Sequence, residues 1–145
     1  MDSAARDNAT GIVERLRPAL AELEPRDLVS AYLFGSQAWG RPHRESDVDI
    51  GVLLSRALDR AARFAVRVRL ASLLPGKLGV RDVDIVVLND APPHLARRIV
   101  LDGIRIASAD AEGDHAFRRD VQLRAADLEP FLRRTRRVKL EAMAP

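Results

Sequence analysis

Apolar and polar residues alternate at two different spacings in the first half of the chain. Between positions 12 and 23, apolar residues recur every three to four positions, which predicts a helix that ends at Glu24-Pro25 and in which Pro18 marks a kink or a restart. The runs "VSAYLF" at 29–34 and "VDIGVLL" at 48–54 are rich in β-branched and apolar residues, which predicts two strands. A helix with arginines along its solvent side is expected after the second strand.

The second half of the chain continues the alternation of helices and strands. The stretch "LPGKLG" at 74–79 is typical of a turn, and "VDIVVL" at 83–88 predicts a third strand. A short run, "IRIA" at 104–107, predicts a fourth. The resulting order, α-β-β-α-β-α-β-α, predicts an α/β (α+β) fold in which helices flank a mixed sheet of about four strands, followed by a C-terminal helical segment.

The helices of the second half carry boundary signals. Asn89 or Asp90 is expected to cap the helix between the third and fourth strands, with Pro92-Pro93 in its first turn and Gly103 at its end. The last stretch, 114–140, has a helical pattern that Pro130 should interrupt, so that Asp127 would cap a new segment. Its apolar residues are expected to lie mostly in the core: Phe117, Val121, Leu123, Leu128, Phe131 and Leu132.

Length and composition limit the possibilities. A chain of 145 residues is expected to form a single domain, with a core over about 10–108 and a helical extension over about 114–140. The absence of cysteine excludes a disulfide framework, a thiol nucleophile and a cysteine zinc site. No secretory signal or apolar run long enough for a membrane span is visible, so a cytoplasmic protein is expected. The pI of about 10.1 favours an anionic partner.

Acidic residues beside two predicted strands indicate a metal site. Asp47 and Asp49 are two apart on one strand, so they share a face, with Cα atoms about 6.5–7 Å apart. Asp82 or Asp84, beside the third strand, can complete a triad. Carboxylates without His or Cys favour Mg²⁺ or Mn²⁺, and two such ions about 3.5–4 Å apart can hold the attacking and leaving oxygens of a phosphoryl transfer.

Gly35-Ser36 indicates an anion site close to these carboxylates. A strand that turns on a glycine into a helix N-terminus presents free N–H groups, and the serine hydroxyl adds a donor, so triphosphate oxygens are the natural occupant. Arg41 and Arg44 lie between this turn and the aspartates. They can reach the triphosphate or a partner, or they can be solvated loop charges.

The spacing of these residues resembles a known family. Gly35-Ser36, ten residues, Asp47-x-Asp49 and a later Asp84 resemble the minimal nucleotidyltransferases (MNT) of the DNA polymerase β-like superfamily over roughly 10–108. The length adds a resemblance to the stand-alone MNT-type antitoxins that pair with HEPT toxins. The resemblance implies Mg²⁺-dependent transfer of AMP from ATP to a tyrosine of a cognate HEPT-type ribonuclease toxin, which neutralises the toxin, and it allows a hetero-oligomer with that toxin.

The resemblance also implies a role for each residue. Asp47 and Asp49 would hold two Mg²⁺ ions, Asp84 would bind the catalytic ion and help to deprotonate the acceptor, and Gly35 and Ser36 would hold the β- and γ-phosphates. Asp84 is preferred to Asp82 because an apolar strand follows it directly.

Two other functions remain open. One is transfer of a nucleotide to a small molecule of the aminoglycoside kind, and the other is an antitoxin that only binds its partner, without chemistry. The basic run "LRRTRRVK" at 132–139 is by default a solvated helix face, or else a docking surface for an acidic toxin face. Nucleic acid is not expected as a direct ligand because no aromatic residues are interleaved with these arginines.

Overall fold

The computed structural model describes residues 3–23, 27–39 and 48–144. These residues alternate between helices and strands in the predicted order, with one short helix added after the first strand. In chain order the elements are α1 (Ser3–Leu23), β1 (Leu28–Phe34), α2 (Ser36–Trp39), β2 (Val48–Leu54), α3 (Arg60–Leu78), β3 (Val83–Val87), α4 (Pro93–Asp102), β4 (Ile104–Ser108) and α5 (Ala111–Met143).

The four strands form one mixed sheet in the order β3-β2-β1-β4. β1 is antiparallel to both β2 and β4, whereas β2 and β3 are parallel. The parallel pair follows from its connection, because α3 carries the chain back along the sheet before β3 begins. The predicted fold class, a mixed sheet of about four strands flanked by helices, is confirmed. The division of the chain into a core and an extension at about 108–114 stays a prediction.

Alternate residues of each strand face two separate apolar clusters. Val48, Ile50 and Val52 of β2 belong to the larger cluster, which α1 and α3 cover. Leu53, on the opposite face of β2, belongs to the smaller cluster, which α4 and the first half of α5 cover. Asp49 is therefore the first residue of β2 on the face that α4 and α5 cover. In the described parts of the chain, no helix has both the length and the apolar character of a membrane span.

The prediction of a turn at 74–79 is wrong, because α3 continues as far as Leu78. Leu74 and Leu78 are fully buried against the sheet, and their burial outweighs the cost of Pro75 within the last turn. The helix ends instead at Gly79, whose φ of 66° is the left-handed conformation in which glycine commonly closes a helix. α1 likewise includes Pro18, and its predicted end at Glu24-Pro25 lies outside the described residues.

The predicted side-chain cap of α4 is also wrong. Asn89 is in a 3₁₀ turn, where its side-chain amide exchanges two hydrogen bonds, of 2.9 and 2.8 Å, with the backbone of Leu54. Asp90 binds Arg63 of α3. Both polar side chains are therefore used to fasten β2 and α3 rather than to cap α4. The start of α4 at Pro93 and its end at Gly103 agree with the sequence.

The predicted interruption at Pro130 is wrong as well, because α5 is one helix of 33 residues. Asp110 caps it by accepting a 3.0 Å hydrogen bond from the N–H of Gly113. Pro130 removes one hydrogen bond from the helix, but the ion pair between Glu129 and Arg133 spans this position and helps the helix to continue.

The apolar residues of α5 are only partly in the core. Val121 is buried, and Phe117 packs against the smaller apolar cluster. By contrast, Leu123 and Phe131 are each 63% exposed and Leu128 is 38% exposed, which corrects the expectation that these residues lie mostly in the core. The sheet is too short to cover the second half of so long a helix.

Candidate active site

Asp49 and Asp84 face each other on the two parallel strands. Asp49 of β2 is paired in register with Asp84 of β3, so the two side chains leave the sheet on the same face from strands about 4.8 Å apart. Asp49 is partly buried, whereas Asp84 is exposed. Residues 35 positions apart in the sequence thus form one acidic pair at the beginning of two strands.

The glycine turn lies directly against Asp49. Phe34, the last residue of β1, pairs with Asp49, and Gly35 follows with a φ of 74°. A Cβ atom on Gly35 would overlap the Asp49 carboxylate and would lie 2.9 Å from its Cγ atom. Glycine is therefore required here for two reasons, the backbone conformation and the close approach of the carboxylate.

Ser36 begins α2 immediately after this turn. The N–H of Ala38 donates a 3.1 Å hydrogen bond to the Gly35 carbonyl, which closes the first turn of the helix. The first N–H groups of a helix have no acceptor within the helix, and Ser36 is the first residue of this one. Hydrogen-bond donors of the kind that bind an anion therefore lie next to the carboxylate of Asp49.

Three of the predicted site residues lie outside the described residues. These are Asp47, Arg41 and Arg44. The described members of the set are Gly35, Ser36, Asp49 and Asp84, and the fold brings all four to the same end of the sheet.

The geometry separates Asp84 from Asp82. The carbonyl of Asp82 accepts a 3.4 Å hydrogen bond from the N–H of Val48, which places Asp82 just ahead of β3. Its carboxylate lies 3.9 Å from the Arg81 guanidinium, and both side chains are largely exposed. Because Asp84 is in register with Asp49 and Asp82 is not, the arrangement favours Asp84 as the third carboxylate.

The donor chemistry of the Asp49–Asp84 pair fits Mg²⁺. Both ligands are hard carboxylate oxygens, and the chain has no cysteine to favour a softer ion. Two neighbouring carboxylates repel each other unless a cation lies between them. Within 3–23, 27–39 and 48–144, no group of three or more His, Cys, Asp or Glu residues could hold a metal, so a site with three carboxylates would need Asp47.

A buried polar cluster next to this site was not predicted from the sequence. Asp114 of α5 is only 1% exposed. It accepts hydrogen bonds from the hydroxyls of Ser30, at 2.7 Å, and Tyr32, at 2.6 Å, and its other oxygen lies 3.1 Å from Arg105. The available signal was the spacing of Ser30 and Tyr32, which are two apart in a strand and so share a face.

Arg118 completes this cluster and connects it to α4. Its guanidinium donates to the hydroxyl of Tyr32, at 3.2 Å, and to the carbonyl of Val100, at 2.6 Å. Burial and the hydrogen bond to Asp114 raise the pKa of Tyr32 above its usual value, so the phenol stays protonated and donates to the carboxylate. Tyr32 is two residues before Phe34 on the same face of β1, so the cluster fastens α4 and α5 to the face of the sheet that also carries Asp49.

This fold and this site define a nucleotidyltransferase. The chain belongs to the family described as polymerase beta, nucleotidyltransferase, whose model matches residues 18–112. The predicted membership of the DNA polymerase β-like superfamily is therefore confirmed. Among curated proteins the chain is similar to the protein adenylyltransferase MntA of Shewanella oneidensis, with 38% identity over 96 residues. That match covers 66% of this chain and 62% of the length of MntA.

Solved structures extend the similarity to almost the whole chain. A toxin–antitoxin crystal structure with AMP-PNP contains a chain that is 30% identical, with a TM-score of 0.69 over 91% of this chain and 98% of the other. A second structure contains a tri-AMPylated Shewanella oneidensis HEPN toxin in complex with its MNT antitoxin. The similar chain there is 27% identical, with a TM-score of 0.55 over 97% of this chain and 99% of the other.

Proposed function

We propose that this protein is an antitoxin that transfers AMP from ATP to a tyrosine of a cognate HEPT-type ribonuclease toxin and so neutralises it. The observation that carries the proposal is the in-register pair Asp49 and Asp84, with Gly35 packed against the first of them. This arrangement combines a cation site with an anion-binding turn, which is the combination that a metal–triphosphate substrate needs. Because ATP is the donor, a cytoplasmic location is expected.

The residues divide the binding of the substrate between them. The N–H groups after Gly35 and the hydroxyl of Ser36 bind the β- and γ-phosphates, and Arg41 and Arg44 add positive charge for the same phosphates. Asp49 and Asp84, with Asp47, would hold Mg²⁺, and two ions suit a set of three carboxylates. When bound, Mg²⁺ supplies positive charge to the phosphate oxygens.

Asp84 has a further role towards the acceptor. The tyrosine oxygen attacks the α-phosphorus of ATP, the bond from that phosphorus to the bridging oxygen of the β-phosphate breaks, and pyrophosphate leaves with the bonding electrons. The phenolic proton goes to the carboxylate of Asp84. Exposure of Asp84 suits this role because a side chain of another protein has to reach it.

Related proteins support a protein acceptor rather than a small molecule. The curated relative is named a protein adenylyltransferase, and a toxin that carries AMP groups is present in the complex with the similar MNT chain. The AMP-PNP in another complex is an ATP analogue, which supports ATP as the donor. A binding-only antitoxin would not require two carboxylates in register beside a glycine turn.

The proposal is tested by the mass of the partner. We expect that incubation with ATP, Mg²⁺ and a cognate HEPT-type toxin adds AMP to a tyrosine of that toxin, measured by intact mass spectrometry. The double substitution of Asp47→Asn and Asp49→Asn should abolish the addition, whereas Asp127→Asn, on the exposed surface of α5, should not. An unchanged mass of the partner with wild-type protein contradicts the proposal. If the double variant still blocks toxicity, binding alone explains neutralisation.

A further inference from the structure

A groove runs along the outer edge of the sheet, next to the acidic pair. Residues 85–87 of β3 form its floor, and it holds about 280 Å³. Arg60, Phe64 and Arg67 of α3 line one side, and Leu95 of α4 lies on the other. None of these residues takes part in the metal and phosphate chemistry proposed above.

The floor of this groove is an edge strand. In the sheet order β3-β2-β1-β4, β3 pairs with β2 on one side, and no described strand lies on its other side. The N–H and C=O groups on the outer side of such a strand can pair with an extended peptide, which then adds a strand to the sheet. The groove therefore has the backbone geometry for an extended segment.

The charge of the groove selects the side chains of that segment. Asp90 is the acidic residue of the groove, and Arg63 binds it through two hydrogen bonds of 2.7 and 2.9 Å, so its charge is neutralised. Arg60 and Arg67 form no ion pair within 4.0 Å with any described residue. The groove thus offers to acidic side chains two guanidinium groups that have no direct carboxylate partner among the described residues.

Apolar surface in the groove adds a second requirement for the docked peptide, which is that it also carries apolar side chains. Phe64 is 59% exposed and Leu95 is 37% exposed, so large apolar side chains face solvent on both sides of the floor. An exposed aromatic side chain flanked by two arginines is a suitable contact for a peptide. Apolar side chains of the peptide become buried against the ring, and the charges of the arginines fix the orientation of the peptide.

We infer that this groove docks the segment of the acceptor protein that carries the modified tyrosine, as an extended acidic strand added to β3. Ile85, in the floor, directly follows Asp84, so a strand on this edge leads to the carboxylate that takes the phenolic proton. This inference rests on the proposed function, and it identifies how the protein substrate is held.

The dimensions give the length of the docked segment. Arg60 and Arg67 are seven residues apart on α3, which corresponds to about 10 Å along a helix. About three residues of an extended strand cover the same distance. The acidic residues of the acceptor should therefore lie within about three to four positions of its modified tyrosine.

Two arginines of α3 provide a matched pair for the test. Arg67 lines the groove, whereas Arg69, two residues further along the same helix, is rotated by about 200° and points away from it. Both side chains are exposed, so Arg67→Glu and Arg69→Glu make the same change of charge on the same helix. Arg60→Glu is a second groove variant, with Arg60 at the other end of the groove.

The measurement is the steady-state rate of AMP transfer to the HEPT-type protein, with AMP-PNP binding by calorimetry as a second readout. We expect Arg67→Glu and Arg60→Glu to raise the KM for the toxin about tenfold or more while kcat and AMP-PNP binding stay near wild type. Arg69→Glu should leave all three values unchanged. Replacing the acidic residues near the modified tyrosine by lysine should restore the KM of Arg67→Glu.

The outcomes separate the two proposals. If the wild-type protein adds no AMP to the toxin, the proposed function fails, and the docking inference fails with it. If wild type transfers AMP and Arg67→Glu and Arg60→Glu behave like Arg69→Glu, the proposed function stands and the docking inference is overturned. A loss of AMP-PNP binding in the groove variants would also overturn it, because the groove would then serve the nucleotide.

Discussion

Asp84 of β3 lies directly opposite Asp49 of β2, although 34 residues separate the two in the sequence. This register distinguishes Asp84 from Asp82, which precedes the strand and lies beside Arg81. We therefore expect Asp84→Asn to reduce the rate of AMP transfer by about 10² or more, the usual contribution of a positioned base. Asp82→Asn, the same change two residues away, should stay close to wild type. The rate of AMP transfer is measured as the rate at which the mass of the partner increases. An equal loss of rate in both variants would show that pairing in register with Asp49 does not identify the general base.

Binding of Mg²⁺ should be visible without any activity assay. A ligand that binds only the folded protein raises its melting temperature, so millimolar Mg²⁺ should raise the Tm of the wild type by calorimetry. The gain should be smaller in Asp49→Asn, because one ligand is lost. A gain of the same size in both proteins would contradict a site at this pair.

Substitutions at Gly35 and Gly79 distinguish the effect of backbone strain from the effect of a closely approaching carboxylate. Both have positive φ angles, 74° and 66°, but a Cβ on Gly35 would displace the Asp49 carboxylate, whereas a Cβ on Gly79 would meet nothing within 4 Å. Gly79→Ala should therefore lose only about 1 kcal/mol of stability and keep its activity. Gly35→Ala should lose more stability and most of its AMP-PNP binding. Normal AMP-PNP binding by Gly35→Ala would argue against the phosphate role of this turn.

Tyr32 and Asp114 should contribute strongly to stability, because both are buried. Tyr32→Phe removes one donor to the buried carboxylate and should reduce the free energy of unfolding by about 1–3 kcal/mol in urea. Asp114→Ala leaves Ser30, Tyr32 and Arg105 without their acceptor and should cost about 3–5 kcal/mol. Asp120→Ala, on the exposed surface of the same helix, should cost less than about 1 kcal/mol. Similar losses for Asp114→Ala and Asp120→Ala would contradict the buried network.

The ion pair of Asp90 and Arg63 should make stability depend on pH. The hydrogen bond from Arg63 holds the pKa of Asp90 below its ordinary value of 3.8. A depressed pKa in the folded state means that the stabilisation is present above the ordinary value and is lost as the pH falls through the folded-state pKa. Asp90→Asn should therefore be less stable than wild type in urea at pH 7, and the difference should shrink below about pH 4. A difference of constant size between pH 7 and pH 3 would contradict this account.

The sequence by itself determined the order of elements, the strand at 48–54 and the proximity of a glycine turn to an acidic strand. These features are local, because alternation with a period of two and the turn chemistry of Gly35 depend on neighbouring residues. The same locality explains the failures at 74–79 and at Pro130. Proline and glycine favour a break there, but the burial of Leu74 and Leu78 and the length of α5 keep the backbone helical.

Only the tertiary structure decided which distant residues meet. The register of β2 with β3 places Asp84, and not Asp82, opposite Asp49, and the path of α5 across the sheet buries Asp114 under two hydroxyls while leaving Phe131 exposed. The use of Asn89 and Asp90 to fasten β2 and α3, rather than to cap a helix, was decided at the same level. The physical reason is that hydrogen bonds, ion pairs and burial between elements depend on how the elements pack, and local periods and spacings in the sequence do not specify which distant elements meet or in which register.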